Sequence, residues 1–242
     1  MTVTWEESGW ERVAAGVGRC RLPVWDCTAG LVVGADGVLL VDAGSGPREG
    51  ARLRDRARAL TGRRVTHLAL THPHFDHLLG ASAFAGAEVF GAAGMETALT
   101  ARGRAELRAD AVRHGLDARV AEEAVDALVP PRHAVSGEWT LELGGGRRAL
   151  LANVGPGHTA HDLAVLVPGD PGVVFCGDLV EESGEPQAGP DAVPSRWPAA
   201  LDRLLELGGD DARYVPGHGA VVDAAFVRAQ RDALAARFGV SD

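Results

Sequence analysis

The clearest pattern of apolar and polar positions along the chain is that of a β-hairpin. Residues 29–34 and 38–41 are two runs of aliphatic and small side chains, and the dipeptide Asp36-Gly37 lies between them. Such a dipeptide between two β-type runs favours a tight turn. Upstream, shorter apolar pieces at 13–17 and 22–25 predict two further short strands.

A helix and a buried strand follow the hairpin. Residues 47–60 carry apolar side chains at helical spacing, Pro47 suits a first helical turn, and Gly62 suits a helix end. Residues 65–70 are then mostly apolar and read as a strand. A strand, a helix and a second strand in this order indicate an α/β fold built in layers.

The same two periodicities continue to the end of the chain. Strands are predicted at 88–90, 139–143, 149–154, 163–167, 173–176 and 213–215, and helices at 78–84, 199–207 and 224–238. Residues 181–198 read as a loop. Residues 92–128 predict two or three helices, broken near Gly103 and Gly115, that form either a lid or a packing layer.

Composition and charge narrow the class of protein. The chain has 242 residues, 46% of them hydrophobic, and a net charge of -9 with no lysine. These values predict one domain over 1–242, with 92–128 as a helical insertion, and argue against nucleic acid or an anionic membrane as a partner. The amino terminus lacks a signal-peptide pattern and no apolar run approaches about 20 residues, so we expect a cytoplasmic protein. Cys20, Cys27 and Cys176 match no redox or zinc-finger spacing and predict buried, inert thiols.

The densest chemical signal is a segment of three histidines and one aspartate directly after the strand at 65–70. Its side chains are His72, His74, Asp76 and His77. Imidazole and carboxylate groups this close together are typical of a metal site. In an extended segment, alternate side chains share a face, so His72 and His74 should point the same way.

Three later strands also end in a tight turn that carries a metal-type ligand. These ligands are His158, Asp178 and His218. In layered α/β folds, functional groups gather at the carboxyl ends of strands. Together with the first segment they give seven candidate ligands, which exceeds the three protein ligands of one catalytic zinc and suits two metals if Asp178 bridges them.

In their order and spacing, these motifs resemble those of the metallo-β-lactamase superfamily, from Asp42 to His218. The resemblance implies a four-layer αββα sandwich with two Zn²⁺ per chain at one edge of the sheets, iron or manganese being alternatives. It implies that Asp42 supports the site without binding metal. It also implies a ligand partition: His72, His74 and His158 on the first metal, Asp76, His77 and His218 on the second, and Asp178 between them.

The main functional hypothesis is a zinc-dependent hydrolase that uses a metal-bridging hydroxide on a small-molecule ester, thioester, lactone or related acyl substrate. In this hypothesis Asp76 orients the nucleophile, and His161 is a candidate substrate or support group. Lysine is absent, Tyr214 is the single tyrosine, and the net charge is negative, so the substrate-gripping residues of lactamases, glutathione thioesterases and nucleases are not evident.

Three alternatives stay open at this point. One is an oxidoreductase that resembles persulfide dioxygenases and holds a single iron through His72, His158 and Asp178. Another is β-lactam hydrolysis by the same site. The third is a binding domain without catalysis, although such relatives usually lose ligands.

Overall fold

The structure is a computed structural model that describes residues 3–240, and in this range the strands form two sheets. The first sheet has seven strands in sequence order: β1 Glu11–Ala14, β2 Val17–Arg21, β3 Thr28–Val33, β4 Val38–Val41, β5 His67–Ala69, β6 Glu88–Ala92 and β7 His133–Val135. Strands β1 to β4 pair antiparallel, and β4 to β7 pair parallel.

The second sheet has five strands in the order β12-β11-β10-β9-β8. They are β8 Glu138–Glu142, β9 Arg148–Asn153, β10 Leu163–Val167, β11 Val173–Glu181 and β12 Arg213–His218. Strands β8 to β11 pair antiparallel, and β12 joins β11 in parallel. Its parallel pairing brings the carboxyl ends of β11 and β12 to the same edge.

Within residues 3–240 there are six α-helices: α1 Pro47–Thr61, α2 Phe75–Leu78, α3 Ala101–Arg113, α4 Ala118–Asp126, α5 Trp197–Gly208 and α6 Ala224–Phe238. Short 3-10 helices cover Ala81–Phe84, Met95–Leu99 and Pro194–Arg196. The predicted helices at 47–60 and 224–238 are confirmed, and α1 ends at Gly62 as expected.

Alternate residues of each strand point to opposite faces of its sheet, and both faces of each sheet are buried. One face of each sheet packs against the other sheet. On β4, Leu39 and Val41 enter the core between the sheets, where Phe175 of β11 meets them. Val38 and Leu40 of the same strand point to the opposite face, toward the helices. The hairpin predicted around Asp36-Gly37 is confirmed as β3 and β4.

Helices cover both outer faces. Leu53 of α1 and Leu107 of α3 lie in the apolar cluster on the first sheet, and Leu201 of α5 and Val227 of α6 lie in the cluster on the second. Helix, sheet, sheet and helix therefore follow one another as four layers. The predicted αββα sandwich is confirmed.

Three predictions about single elements are wrong. Residues 22–25 form a loop and not a strand, and the predicted strand at 13–17 contains the turn between β1 and β2. The predicted helix at 78–84 is divided between α2 and a 3-10 helix. Strands β11 and β12 extend past their apolar runs to Glu181 and His218, so the predicted ligands Asp178 and His218 lie within strands.

The 92–128 segment packs into the helical layer on the first sheet through buried residues of α3 and α4. The predicted break near Gly115 is present between these helices. The break predicted near Gly103 lies slightly earlier, at Thr100, which separates the 3-10 helix Met95–Leu99 from α3 and whose hydroxyl accepts a hydrogen bond from the Gly103 amide at 3.2 Å.

Cys20, Cys27 and Cys176 are buried, as predicted, and none of them forms a disulfide. Among residues 3–240, no helix combines the length and the apolar character needed to cross a membrane.

Candidate metal centre

One edge of the sandwich collects all seven predicted ligands. Asp42 directly follows β4, and the segment from His72 to His77 follows β5 on the neighbouring strand of the first sheet. His158 follows β9, while Asp178 lies in β11 and His218 ends β12. A main-chain hydrogen bond of 2.8 Å from the amide of Leu163 to the carbonyl of Thr71 links the two sheets next to the cluster.

Asp178 reaches this cluster through an irregularity in its strand. The pairing of β11 with β12 shifts register on both sides of Gly177, whose φ is 54°. Such irregularities redirect a side chain out of the regular pleat. A Cβ on the facing Gly217 would overlap the Asp178 carboxylate. Glycine at 217 therefore leaves the space in which the carboxylate lies.

The first group of ligand atoms comprises His72, His74, His158 and Asp178. Nε2 of His72 lies 3.6 Å and Nε2 of His158 lies 3.5 Å from Oδ2 of Asp178. Nδ1 of His74 is 2.9 Å from Nε2 of His158. These four side chains are those predicted for the first metal.

The second group surrounds the same aspartate from the other side. Nε2 of His218 is 3.3 Å from Oδ2 of Asp76 and 3.4 Å from Oδ2 of Asp178. Nε2 of His77 is 3.1 Å from Oδ1 of Asp178 and 3.6 Å from Oδ2 of Asp76. Asp178 therefore lies within 3.6 Å of ring nitrogens from both groups.

Each of the five histidines has its other ring nitrogen next to a hydrogen-bond acceptor. The pairs are His72 Nδ1 with Thr71 Oγ1 at 2.9 Å, His74 Nε2 with Asp191 Oδ2 at 3.0 Å, His77 Nδ1 with Asp42 Oδ2 at 2.9 Å, His158 Nδ1 with the Gln187 carbonyl at 3.1 Å and His218 Nδ1 with the Trp25 carbonyl at 2.7 Å. Carbonyl and carboxylate oxygens only accept, so these nitrogens donate. The Thr71 hydroxyl donates to Asp42 at 2.8 Å and therefore accepts from His72.

This outer shell fixes which nitrogen of each neutral ring carries the lone pair. If all five rings are neutral, their nitrogen lone pairs converge on the carboxylates of Asp76 and Asp178. These electron-rich groups repel one another unless a positive charge lies between them. Of the described residues, His72 Nε2 and Asp178 Oδ1 are among four buried polar side-chain atoms that make no hydrogen bond. Oriented imidazoles of this kind are characteristic of metal ligands.

The spacing of the inward atoms also fits a metal ion. With zinc-to-ligand bonds of about 2.0–2.1 Å, neighbouring ligand atoms of a tetrahedron lie about 3.4 Å apart. The contacts of Asp178 with His72, His158 and His218 are 3.6, 3.5 and 3.4 Å. These side chains could therefore hold metal ions with little rearrangement.

In the absence of a metal ion, some of the five histidines have lowered pKa values and others have raised ones. Burial lowers the pKa of His158 to about 4 and holds the pKa of His72 well below its usual value. Burial also opposes charge on His218, but Asp178 and Asp76 outweigh it and raise its pKa to about 12. The second group therefore attracts a positive charge most strongly, and a metal ion or a proton can supply it.

Sequence reasoning missed the outer partners Asp191, Gln187 and Trp25. Two of them act through main-chain carbonyls, which leave no side-chain signature, and Asp191 lies 117 positions from His74. Cys27 was also missed: its buried Sγ is 3.1 Å from the main-chain carbonyl of Asp76 and 3.7 Å from His77 Nδ1. The Asp42 contact with His77, in contrast, matches the supporting role that the resemblance implied.

His161 lies beside a turn of the 92–128 segment. Its Nδ1 donates to the Ala93 carbonyl at 3.1 Å, and its Nε2 is 3.3 Å from Oγ1 of Thr97. The following residue, Asp162, is buried and accepts hydrogen bonds from the amide and the hydroxyl of Thr159. These contacts fix the loop that carries His158.

Comparison with solved structures supports the fold. The chain is similar to a metallo-β-lactamase from Pontibacter korlensis, with 22% identity, a TM-score of 0.70, and coverage of 93% of this chain and 97% of that one. It is also similar to the metallo-β-lactamase FIM-1 from Pseudomonas aeruginosa in the mono-zinc form, with 19% identity, a TM-score of 0.70 and 96% coverage of both chains. A metallo-β-lactamase from Hirschia baltica gives 18% identity, a TM-score of 0.68 and coverage of 93% and 96%.

No curated protein matches the chain. The family model described as the metallo-β-lactamase superfamily matches residues 22–218, which include every predicted metal ligand. On the strength of this match and of the αββα fold, the chain belongs to the metallo-β-lactamase superfamily.

Proposed function

We propose that the chain is a dinuclear zinc-dependent hydrolase of a small, uncharged ester, thioester or lactone. The observation that carries this proposal is the convergence of five oriented histidines on two carboxylates at one sheet edge. His72, His74 and His158 would hold the first metal, and Asp76, His77 and His218 the second. Asp178 would contact both.

Zinc in such a site lowers the pKa of water toward neutrality and polarises an acyl carbonyl. The protein's own contribution is to keep the seven ligands oriented before substrate arrives. Burial of His72 and His158 keeps both imidazoles neutral near pH 7, which is the form that binds metal. Asp76, whose pKa lies below its usual value beside His77 and His218 despite its burial, stays ionised and can accept a hydrogen bond from the attacking water.

The charge at the rim supports an uncharged substrate. Asp191 is half-exposed beside His74, and Glu181 is partly buried where β11 pairs with His218. Two carboxylates beside the predicted ligands disfavour a substrate that presents its own carboxylate.

A catalytic role for His161 stays a prediction. Both of its ring nitrogens contact the turn at Ala93 and Thr97, so in this conformation the ring supports the turn. Replacing His161 with Ala tests the role: a loss in turnover number with unchanged KM favours proton transfer, and a change in KM alone favours support of the turn.

β-Lactam hydrolysis is the second candidate. It is favoured by the three structural relatives, which are described as metallo-β-lactamases and match nearly the full length of the chain. At identities of 18–22% this likeness concerns the fold, and the rim carboxylates argue against the carboxylate that β-lactams carry.

The test is turnover by the zinc-loaded protein on an ester, a thioester, a lactone and a β-lactam, compared with Asp178→Ala. We expect hydrolysis of an uncharged acyl substrate that falls at least 100-fold in Asp178→Ala, because the shared ligand is lost. Asp126→Ala, at an exposed position at the end of α4, is the matched control. Oxygen uptake on a persulfide by protein with one iron would replace this proposal with the oxidoreductase alternative.

A further inference from the structure

The loop at 182–193 connects β11, which carries Asp178, to the region of α5. Across 184–193 it has no regular secondary structure, and it contains Gly184, Pro186, Gly189 and Pro190. Its sequence therefore does not predict a fixed conformation. In the structure, hydrogen bonds with four separate parts of the chain hold it in place, including one from the Glu182 amide to the His218 carbonyl at 3.2 Å.

Two of those contacts are made by first-group histidines. His158 donates from Nδ1 to the Gln187 carbonyl at 3.1 Å, and His74 places Nε2 3.0 Å from Oδ2 of Asp191. His74 belongs to the first sheet's motif and His158 follows a strand of the second sheet. The loop thus joins ligands that arrive from opposite sheets.

Two further contacts anchor the two sides of the loop. The amide of Val193 donates to the Gly157 carbonyl at 2.9 Å, next to His158. Arg237 of α6 donates to the Pro186 carbonyl at 2.8 Å. Between these anchors, Asp191 is the loop side chain that touches a candidate ligand.

His74 has more need of an outer partner than the other histidines. Its side chain is 22% exposed, against 13% for His218 and at most 5% for His72, His77 and His158. A ring at the rim can rotate unless a hydrogen bond fixes it. The Asp191 carboxylate fixes which nitrogen is protonated and turns Nδ1 inward, toward His158.

We propose that Asp191 is a positioning residue for His74, and that through this contact metal binding at the first position orders the 182–193 loop. The inference rests on the proposed metal site. The loop contacts His74, the most exposed of the five histidines, so ordering it would shape the surface beside that side chain. The coupling is reciprocal: metal binding favours the ordered loop, and an ordered loop favours metal binding by the same factor.

The experiment compares wild type with Asp191→Ala, Asp191→Asn and Glu185→Ala. Zinc affinity is measured by competition with a chromophoric chelator, without any substrate. We expect Asp191→Ala to weaken one of two zinc sites about 10- to 100-fold, as is usual for loss of an outer partner, and Asp191→Asn to weaken it less because an amide oxygen still accepts a hydrogen bond. Glu185→Ala, at an exposed position in the same loop, should bind zinc as wild type does.

Hydrogen exchange of the loop amides provides the second readout. Zinc should slow exchange over 184–193 in wild type and in Glu185→Ala, and should slow it markedly less in Asp191→Ala. Wild-type affinity at both sites in Asp191→Ala, or equal zinc-dependent protection of its loop, would overturn the inference and leave the proposed function intact. A wild-type chain that binds no zinc would overturn both.

Discussion

Asp42 and His77 are joined by a hydrogen bond of 2.9 Å from the ring Nδ1 to the carboxylate Oδ2. The same carboxylate accepts the Thr71 amide and the Thr71 hydroxyl, each at 2.8 Å, and all three residues are buried. Asp42 has a φ of 61°, a conformation that few residues other than glycine adopt. One aspartate at the end of β4 therefore orients His77 directly and His72 through Thr71.

Replacing Asp42 with Ala should release both histidines. We expect a loss of about 3 kcal/mol in the free energy of unfolding, because three buried donors lose their acceptor, and a 10- to 100-fold loss in zinc affinity. Urea unfolding of the metal-free protein and chelator competition measure the two effects. Asp42→Asn keeps the size and tolerates this φ, so it should recover part of the stability. Wild-type zinc affinity in Asp42→Ala would show that this support is not needed.

Gly217 leaves space for Asp178, the aspartate predicted to contact both metals. A Cβ at this position would overlap the Asp178 carboxylate, so Gly217→Ala should displace it and weaken zinc binding at both positions by at least 10-fold. Gly184→Ala is the matched control, since a Cβ there meets no atom within 4 Å. Chelator competition on both variants checks the prediction. Equal affinities in the two variants would mean that Asp178 does not need the position it occupies.

Zinc should stabilise the folded chain. Because the seven ligands are assembled only in the folded state, zinc at 100 times its dissociation constant adds about 2.7 kcal/mol per site, which corresponds to a rise in Tm of roughly 5–10 °C for a chain of this size. Thermal unfolding of chelator-treated protein with and without zinc measures the rise. Magnesium, which prefers oxygen ligands, is the control and should leave the Tm unchanged. A Tm that responds equally to both ions contradicts a histidine-rich site.

Asp162 gives a prediction about pH. Burial raises its pKa to about 7, well above its value in an unfolded chain. The unfolded state therefore ionises first as the pH rises, so the contribution of Asp162 to stability is fully present below about pH 4 and is lost progressively up to about pH 7. The total loss is roughly 4 kcal/mol. The asparagine of Asp162→Asn does not titrate, so this variant should lack the pH-dependent loss of stability.

Urea unfolding of metal-free wild type and Asp162→Asn at pH 5, 6, 7 and 8 isolates this effect. The stability of wild type relative to the variant should fall by about 1.4 kcal/mol per pH unit from 5 to 7 and then level off. A difference that stays constant over this range would mean that Asp162 is ionised in the folded protein.

Sequence patterns predicted the layers of the fold because both sheets are covered on both faces. Runs such as residues 38–41 and 163–167 are continuously apolar, so their strands are unmistakable. The loop at 22–25 has the apolar residues of a strand, but they serve a loop: Leu22 is buried in the core, Val24 is exposed, and Trp25 packs edge-on against Phe75. Apolar character alone does not separate these two cases.

The seven predicted ligands could be identified from the sequence because each directly follows or lies near the end of an apolar run. Their outer partners were not visible. Gln187 and Trp25 act through main-chain oxygens, which any residue has, and Asp191 is one acidic residue among several in its loop. Only the folded chain brings His74 and Asp191 together, and with them the orientation of the imidazole.

The account depends most directly on the number of metal ions that the chain binds. The decisive measurement is elemental analysis of zinc-loaded wild type, His158→Ala and His218→Ala after removal of free metal. We predict about two zinc ions per chain for wild type and about one for each variant, because each variant removes a ligand from a different position. Wild-type protein that retains no more than one metal ion under these conditions would contradict the dinuclear site.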